Sequence, residues 1–432
     1  MPRLSVIESS NPEWPDPHAR LTFSALQDAL TAHIESPAET GAVDAVDLAL
    51  AQAALHRASD LYFEPWADCL ALRYRIDGIL HDAAVLPKAY QSRIMARLKI
   101  LARIVTYQRD MPQDGRIEPE ATPCGKAMRV STFPTVNGER VLVRILDSPD
   151  SPMTLGELGF DALLTAALRD LITRPQGTLL LTGPSSSGKT TTIYALLREI
   201  LDRRRPAPHV VTIEDPVEYR LDRIAQTEVN PHAGLTFEAA LRAVLRQDPE
   251  VIMLGEIRDS ATAHAAVQAG LTGHLVISTI HSGTAAGVFT RLIDMGVEPF
   301  LVASSVTGVL AQRLVRTVCP HCAVDAVPDD RLRTQYGLAG VDGCFRQGQG
   351  CECCEGIGYR GRTAIGELMP VDETIAELIL GRTRTVTIHE AALSGGMKPL
   401  ARDGAERVRT GATTLEELFR VLPAPGARAE AE

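Results

Sequence analysis

Apolar residues recur with two different periods along this chain. From Ala45 to Ala58 they sit at helical spacing, with Val46, Leu50, Ala53 and Ala54 on one stripe. Alternation with period two follows in Asp60-Leu61-Tyr62-Phe63-Glu64-Pro65 and again from Leu70 to Tyr74. The pair Asp77-Gly78 predicts a hairpin between such runs. Helical spacing returns from Pro87 to Leu101, and Gln113-Asp114-Gly115-Arg116-Ile117 opens a second hairpin, completed by Ala127 to Thr132 and Glu139 to Leu146. These patterns predict an α+β domain over 45–150, closed by the linker Ser148-Pro149-Asp150-Ser151-Pro152.

Beyond the linker, strands and helices alternate, which predicts a parallel sheet with helical crossovers and an α/β domain over 151–422. The expected strands are Leu179 to Thr182, Val210 to Ile213, Val251 to Leu254 and Leu275 to Thr279. The expected helices are Lys189 to Arg204, Phe237 to Leu245, Ala261 to Ala269, Ala285 to Asp294 and Pro299 to Leu314. A cysteine-bearing insert follows at 315–362, and Glu373 to Leu422 reads as mostly helical. Residues 1–44 read as a short arm, with the proline-rich run Asn11 to Pro17 and a short helix from Leu21 to His33. The end, 423–432, reads as a disordered tail. There is no internal repeat.

Composition changes this picture little. The 432 residues carry 45% hydrophobic and 23% charged side chains, ordinary values for a globular chain. A net charge of −10 weighs against nonspecific binding to nucleic acid or anionic lipid. The N-terminus has no signal-peptide pattern, and no run is long and apolar enough to span a bilayer, so a cytoplasmic home is expected. In that compartment eight cysteines point to metal ligation or free thiols rather than disulfides.

The densest chemistry is Gly183-Pro184-Ser185-Ser186-Ser187-Gly188-Lys189-Thr190. Between a strand and the helix opened by Thr191, this is a Walker A phosphate loop. Its glycines turn backbone N–H groups toward phosphate oxygens, and the helix N-terminus adds partial positive charge. Lys189 is placed to reach the β- and γ-phosphates, and the Thr190 hydroxyl to hold Mg²⁺. Downstream, Thr212-Ile213-Glu214-Asp215-Pro216-Val217-Glu218 puts acids at the end of a strand. Glu214 is expected to activate the attacking water. In Val251-Ile252-Met253-Leu254-Gly255-Glu256, the acid follows a Walker B-like apolar run one place late, and Glu256 is expected on the metal side. The two glutamates can exchange these roles. His274 and His281 flank the next strand, and His281 is a candidate for sensing the γ-phosphate. The insert carries Cys319-Pro320-His321-Cys322 and Cys351-Glu352-Cys353-Cys354. Two C-x-x-C knuckles, Cys319/Cys322 and Cys351/Cys354, supply four thiolates for a closed, structural Zn²⁺ site, with His321 and Cys353 as spare ligands.

In this order the motifs resemble the type II secretion and type IV pilus assembly ATPases. The likeness spans about Ala45 to Leu422 and includes Arg75-Ile76-Asp77-Gly78, Pro112-Gln113-Asp114-Gly115-Arg116 and Leu245-Arg246-Gln247-Asp248-Pro249. It implies a RecA-like P-loop core preceded by a smaller PAS-like α+β domain, in a homohexamer fuelled by ATP and Mg²⁺. It also implies peripheral association with the inner membrane, through a membrane platform protein and a cytoplasmic docking component. The preceding domain would lend arginines to the nucleotide, with Arg116 first and Arg129 and Arg140 as further candidates. The cysteine insert marks assembly motors rather than retraction motors. Three departures stand out. Ser186 replaces a usual glycine, Tyr62 replaces a usual histidine, and the docking domain is reduced to the short arm. They motivate a second reading, a nucleotide-gated scaffold with little turnover. A third, a nucleic-acid translocase, has the acidic net charge against it.

Overall fold

A computed structural model of the chain describes residues 19–35, 40–146 and 153–422. The proline-rich run, the interdomain linker and the expected tail lie outside them. The chain divides into two compact units, the first ending at 148 and the second starting at 149.

The first unit holds helices α1 (Phe23–Glu35), α2 (Gly41–Leu55) and α3 (Gln91–Leu101). Its strands are β1 (Ala58–Pro65), β2 (Cys69–Ile76), β3 (Ile79–Pro87), β4 (Gln113–Ile117), β5 (Met128–Thr135) and β6 (Gly138–Ile145). They form one antiparallel six-stranded sheet ordered β3-β2-β1-β6-β5-β4. The expected hairpin turn joins β2 to β3, with Asp77 and Gly78 both at positive φ (47° and 83°), the conformation a two-residue hairpin needs. Alternation decides which sheet face is covered. Leu61, Phe63, Val130, Val141 and Val143 are buried together with Leu48, Ile94 and Leu98 of the helices. The helix expected within the arm is α1, and it belongs to this core. Leu26, Leu30 and Ile34, spaced four apart, are fully buried in it.

The second unit is a seven-stranded sheet with helices around it. Its strands are β7 (Gly177–Thr182), β8 (Val210–Glu214), β9 (Ala225–Glu228), β10 (Val251–Ile257), β11 (Leu275–Ile280), β12 (Val306–Val318) and β15 (Tyr359–Pro370). Their order is β15-β12-β7-β11-β10-β8-β9. All pairs are parallel except β12 with β15. Helices α4 (Ala162–Thr173), α5 (Lys189–Arg203), α6 (Phe237–Val244), α7 (Ser260–Leu271), α8 (Gly287–Asp294) and α9 (Pro299–Ser305) accompany the parallel strands. Between β12 and β15 lie β13 (Ala323–Asp325), α10 (Asp330–Gln335) and β14 (Arg346–Gly348). Helices α11 (Glu373–Leu380), α12 (Thr385–Ser394), α13 (Leu400–Arg409) and α14 (Leu415–Val421) close the unit. Every residue of β7 is buried, as expected of a central parallel strand covered on both faces.

One expected element is wrong. The helix predicted over Pro299 to Leu314 stops at Ser305, and the chain continues as the thirteen-residue strand β12. The apolar run there lacks a distinguishing period. Its β-branched Val306, Thr307, Val309, Val315, Thr317 and Val318 suit a pleated surface better than a helix. Strand β15, ten of whose residues register against β12, was not anticipated either.

Candidate nucleotide site and cysteine cluster

The phosphate loop joins the carboxyl end of β7 to α5. Gly183 has φ +152° and Gly188 φ +85°. A Cβ on Gly183 would lie 2.5 Å from the Gln312 carbonyl, and one on Gly188 2.9 Å from the Gln312 amide nitrogen. Both conformation and space therefore demand glycine. Ser186 takes φ +61°, the left-handed conformation for which glycine is the low-cost residue. Lys189 Nζ donates to the carbonyls of Gly183 and Pro184, each at 2.9 Å. Its pKa is lowered, chiefly by burial; Glu256 opposes that shift and Arg313 adds to it. Ser187 is buried, and its Oγ has no hydrogen-bond partner among the described residues. A buried hydroxyl inside a glycine cradle, beside a lysine, suits a polyphosphate's oxygens.

The two glutamates differ sharply. Glu214, at the end of β8, is only 2% exposed. Its carboxylate accepts from Thr212 Oγ1 (2.5 Å), Gln226 Nε2 (3.2 Å) and the Tyr194 hydroxyl. Burial and the neighbouring carboxylate push the Tyr194 phenol far above its ordinary pKa, so it stays a donor. Glu214 is thus committed to binding α5 and β9 to β8. The Glu256 side chain, on β10, retains 20% exposure, pairs with the Arg258 guanidinium and lies 3.8 Å from His281 Nε2. It acts electrostatically on Lys189. The Thr279 hydroxyl donates to the Gly255 carbonyl at 2.7 Å, fixing the backbone beside Glu256. His281 follows β11 and is 57% exposed. His274 precedes that strand, a strand length of roughly 20 Å away, and its Nδ1 lies 3.1 Å from the Ala269 carbonyl oxygen. Lys189, Glu256 and His281 therefore share the carboxyl edge of the sheet, where ligands of open α/β sheets bind, and His274 does not.

In the insert, one sulfur from each of Cys319, Cys322, Cys351 and Cys354 lies within 4.8 Å of every other. The contacts Cys319–Cys351, Cys322–Cys354 and Cys351–Cys354 measure 3.9, 3.8 and 3.7 Å. Four sulfurs at about 2.3 Å around a tetrahedral zinc stand about 3.8 Å apart. The backbone N–H groups of Cys351 and Gly358 donate to the Cys354 sulfur at 3.2 and 3.3 Å, fixing its position in the group. His321 and Cys353 are not members of the group.

Residues 38–420 match the sequence profile of the type II/IV secretion system protein family. This chain belongs to that family. It is 44% identical over 87% of its length to the type II secretion system protein HxcR of Pseudomonas aeruginosa, covering 76% of that protein. It is 42% identical to the type II secretion system ATPase E of Vibrio cholerae, over 90% of this chain and 76% of that one. It is 43% identical to the type IV pilus assembly ATPase PilB of Thermus thermophilus over 88% of its length, but spans 43% of that longer protein. The fold matches the pilus retraction motor PilT, with a TM-score of 0.60 at 23% identity, covering 87% of this chain and 96% of that one. It also matches DotB of Legionella pneumophila, with a TM-score of 0.64 at 19% identity, covering 87% and 94%.

The chain carries its candidate arginines on one face of the first unit's sheet. Arg116 pairs across strands with Arg129, Arg129 with Arg144, Arg144 with Asp60 and Asp60 with Arg75. Partners directly opposite share a face. Arg116 lies 3.8 Å from Glu118, Arg129 3.6 Å from Asp114 and Arg140 3.0 Å from Glu64. Nearly half of each arginine side chain remains exposed. Tyr62 stands in the same face with the Arg75 and Arg140 guanidiniums 5.3 and 5.2 Å from its ring centre. It also accepts a 3.0 Å hydrogen bond from Arg75 Nε, so the substituted histidine position positions arginines.

Sequence reasoning missed Gln312. Buried on β12, it donates to the Ser187 carbonyl (2.7 Å) and accepts from the Thr192 hydroxyl (2.8 Å), bracing the phosphate loop from the neighbouring strand. The available signal was a Gln-Arg pair interrupting the apolar run from Val306 to Val318. No helix among the described residues is long and apolar enough to cross a membrane.

Proposed function

We propose that this chain is the subunit of a hexameric motor that hydrolyses Mg·ATP to drive assembly of a type II secretion pseudopilus or a type IV pilus. The observation that carries the reading is the phosphate loop itself, with glycines where no Cβ fits and a buried hydroxyl awaiting an acceptor or donor. The loop amides, Ser187 and Lys189 bind the triphosphate, with Gly183, Pro184, Ser185, Ser186, Gly188 and Thr191 forming the rest of the cradle. Thr190 would hold Mg²⁺, which would supply charge neutralisation to the triphosphate. We exchange the two glutamates. Glu256 has the exposure and the neighbours to orient and deprotonate the attacking water, with His281 beside it. Glu214, its carboxylate already engaged by Thr212, Tyr194 and Gln226, holds the site's framework. Arg116 and Arg129 act on a neighbouring subunit's nucleotide. Cys319, Cys322, Cys351 and Cys354 hold a structural zinc. The working place is the cytoplasmic side of the inner membrane, against a platform protein and a docking component.

Steady-state phosphate release separates the roles. Lys189→Ala should abolish it. Glu256→Gln should lower kcat by about 10²–10⁴ with ATP binding retained. Glu214→Gln should show itself as a lowered melting temperature. An active Glu256→Gln protein would reverse the assignment of the glutamates, and an active Lys189→Ala protein would end the ATPase reading. Metal analysis should find zinc equimolar with the chain and absent after Cys351→Ser.

A further inference from the structure

Strand β12 brings a second cation to the phosphate loop. Arg313 follows Gln312 and is partly buried. Its guanidinium reaches over the end of β7, donating through Nη1 to the Gln312 carbonyl (2.9 Å) and through Nη2 to the Gly283 carbonyl (3.1 Å). Nη1 lies 3.2 Å from where a Cβ on Gly183 would stand, and Gly183 is the residue whose carbonyl accepts from Lys189. Gly283 belongs to the loop that His281 opens, and Ser282 of that loop is clipped to β7 through the Thr182 hydroxyl, with both bonds at 3.0 Å. One guanidinium thus touches β12, the start of the phosphate loop and the histidine-bearing loop.

Two cations side by side in a partly buried site repel each other. The repulsion is felt at Lys189, where Arg313 works with burial to lower the pKa. Glu256 acts the other way and outweighs Arg313 there, so burial is what keeps the Lys189 pKa lowered. Lys189 and Arg313 both stand against Gly183 at the start of the phosphate loop, so a multiply charged anion held by that loop would meet both cations. We infer that Arg313 is a phosphate-binding residue acting within its own subunit. It contacts the terminal phosphate of ATP and ties its presence to the loop bearing His281.

This rests on the phosphate loop being the nucleotide site, and it predicts selectivity rather than mere binding. A charge-assisted bond to the γ-phosphate is lost with that phosphate, so Arg313 should favour ATP over ADP. Equilibrium titration with fluorescent ATP and ADP analogues in Mg²⁺ reads this directly. Arg313→Met should weaken ATP binding about tenfold or more and leave ADP affinity within about twofold. Arg313→Lys, which keeps a charge, should recover part of the preference. Any fall in the melting temperature of nucleotide-free Arg313→Met, from the lost bonds to the Gln312 and Gly283 carbonyls, bears on both nucleotides alike, so the ratio of ATP to ADP affinity is the readout. Equal loss for ATP and ADP, loss for neither, or an Arg313→Lys protein no better than Arg313→Met would overturn the inference. Wild-type protein that binds neither nucleotide, or a Lys189→Ala control that binds both normally, would overturn the nucleotide-site reading instead.

Discussion

Ser186 shows how much a single backbone angle can carry. A serine at φ +61° pays a left-handed penalty of about 1–2 kcal/mol that glycine would avoid. Its neighbours do not relieve this, because the loop's path is set by Gly183, Gly188 and the Gln312 brace. Ser186→Gly should therefore raise the stability of the second unit by about 1 kcal/mol, less the extra unfolded-chain entropy of glycine. Differential scanning calorimetry would read a rise of a few degrees. A fall would mean that the serine makes a contact worth more than its strain. At this scale the sequence was legible where residue type and spacing determine chemistry, as in Gly183, Gly188, Lys189 and the four ligating cysteines. It was ambiguous for Glu214 and Glu256, both acids at strand ends. Only the hydrogen bonds from Thr212, Tyr194 and Gln226, from three separate elements, separate a committed carboxylate from an available one.

Among the elements, β12 does most to join parts of the second unit. Gln312 braces the phosphate loop, Arg313 reaches the histidine loop, and Arg316 enters the C-terminal helices. Cys319 follows the strand's last residue. Sequence reading took the first part of this strand for helix because an unbroken apolar stretch has no period, and β-branching alone had to decide. Helix α1 was the converse case. Its four-residue spacing was legible, but what it packs against was not, since α2 and β3 lie further along the chain. Arg316 and Arg420 both hold the buried carboxylate of Glu417 on α14, at 2.6 and 2.7 Å. Burial alone would raise the Glu417 pKa, but the bonds from Arg420 and Arg316 outweigh it and hold the carboxyl below its ordinary range. A depressed folded pKa contributes stability above the unfolded value, near 4.3, and that contribution fades as pH falls through the folded pKa. Glu417→Gln should accordingly cost about 3 kcal/mol at pH 7. The gap from wild type should narrow below about pH 4. Urea denaturation at the two pH values tests this, and a gap independent of pH would mean that shape, not charge, holds α14.

At the scale of the whole molecule, and of the ring proposed for it, the question is whose nucleotide the arginine face serves. Hairpin signals and the Gln113–Arg116 motif made that sheet legible, but which arginines share a face follows from register. Arg116, Arg129 and Arg144 stand opposite one another in successive strands, so their charges accumulate on one surface. Like charges directly opposite cost stability, and the acids Glu118, Asp114 and Asp60 pair with Arg116, Arg129 and Arg144 against that cost. A ring of head-to-tail subunits gives such a face a use, because each interface can set one subunit's arginines against the next subunit's phosphate loop. Mixing inactive chains distinguishes this from action within one chain. Arg116→Ala and Lys189→Ala proteins, each expected to be inactive alone, should mix at random in the proposed hexamer when refolded or co-expressed. If Arg116 acts across the interface, roughly a quarter of interfaces in a one-to-one mixture combine an intact arginine with an intact loop, and phosphate release returns in that proportion. If Arg116 acts within its own chain, no chain in the mixture carries both groups and the mixture stays as inactive as its parts. Recovery would then have to be sought with Arg129→Ala, the neighbour opposite it in register, before the trans role of this face is abandoned.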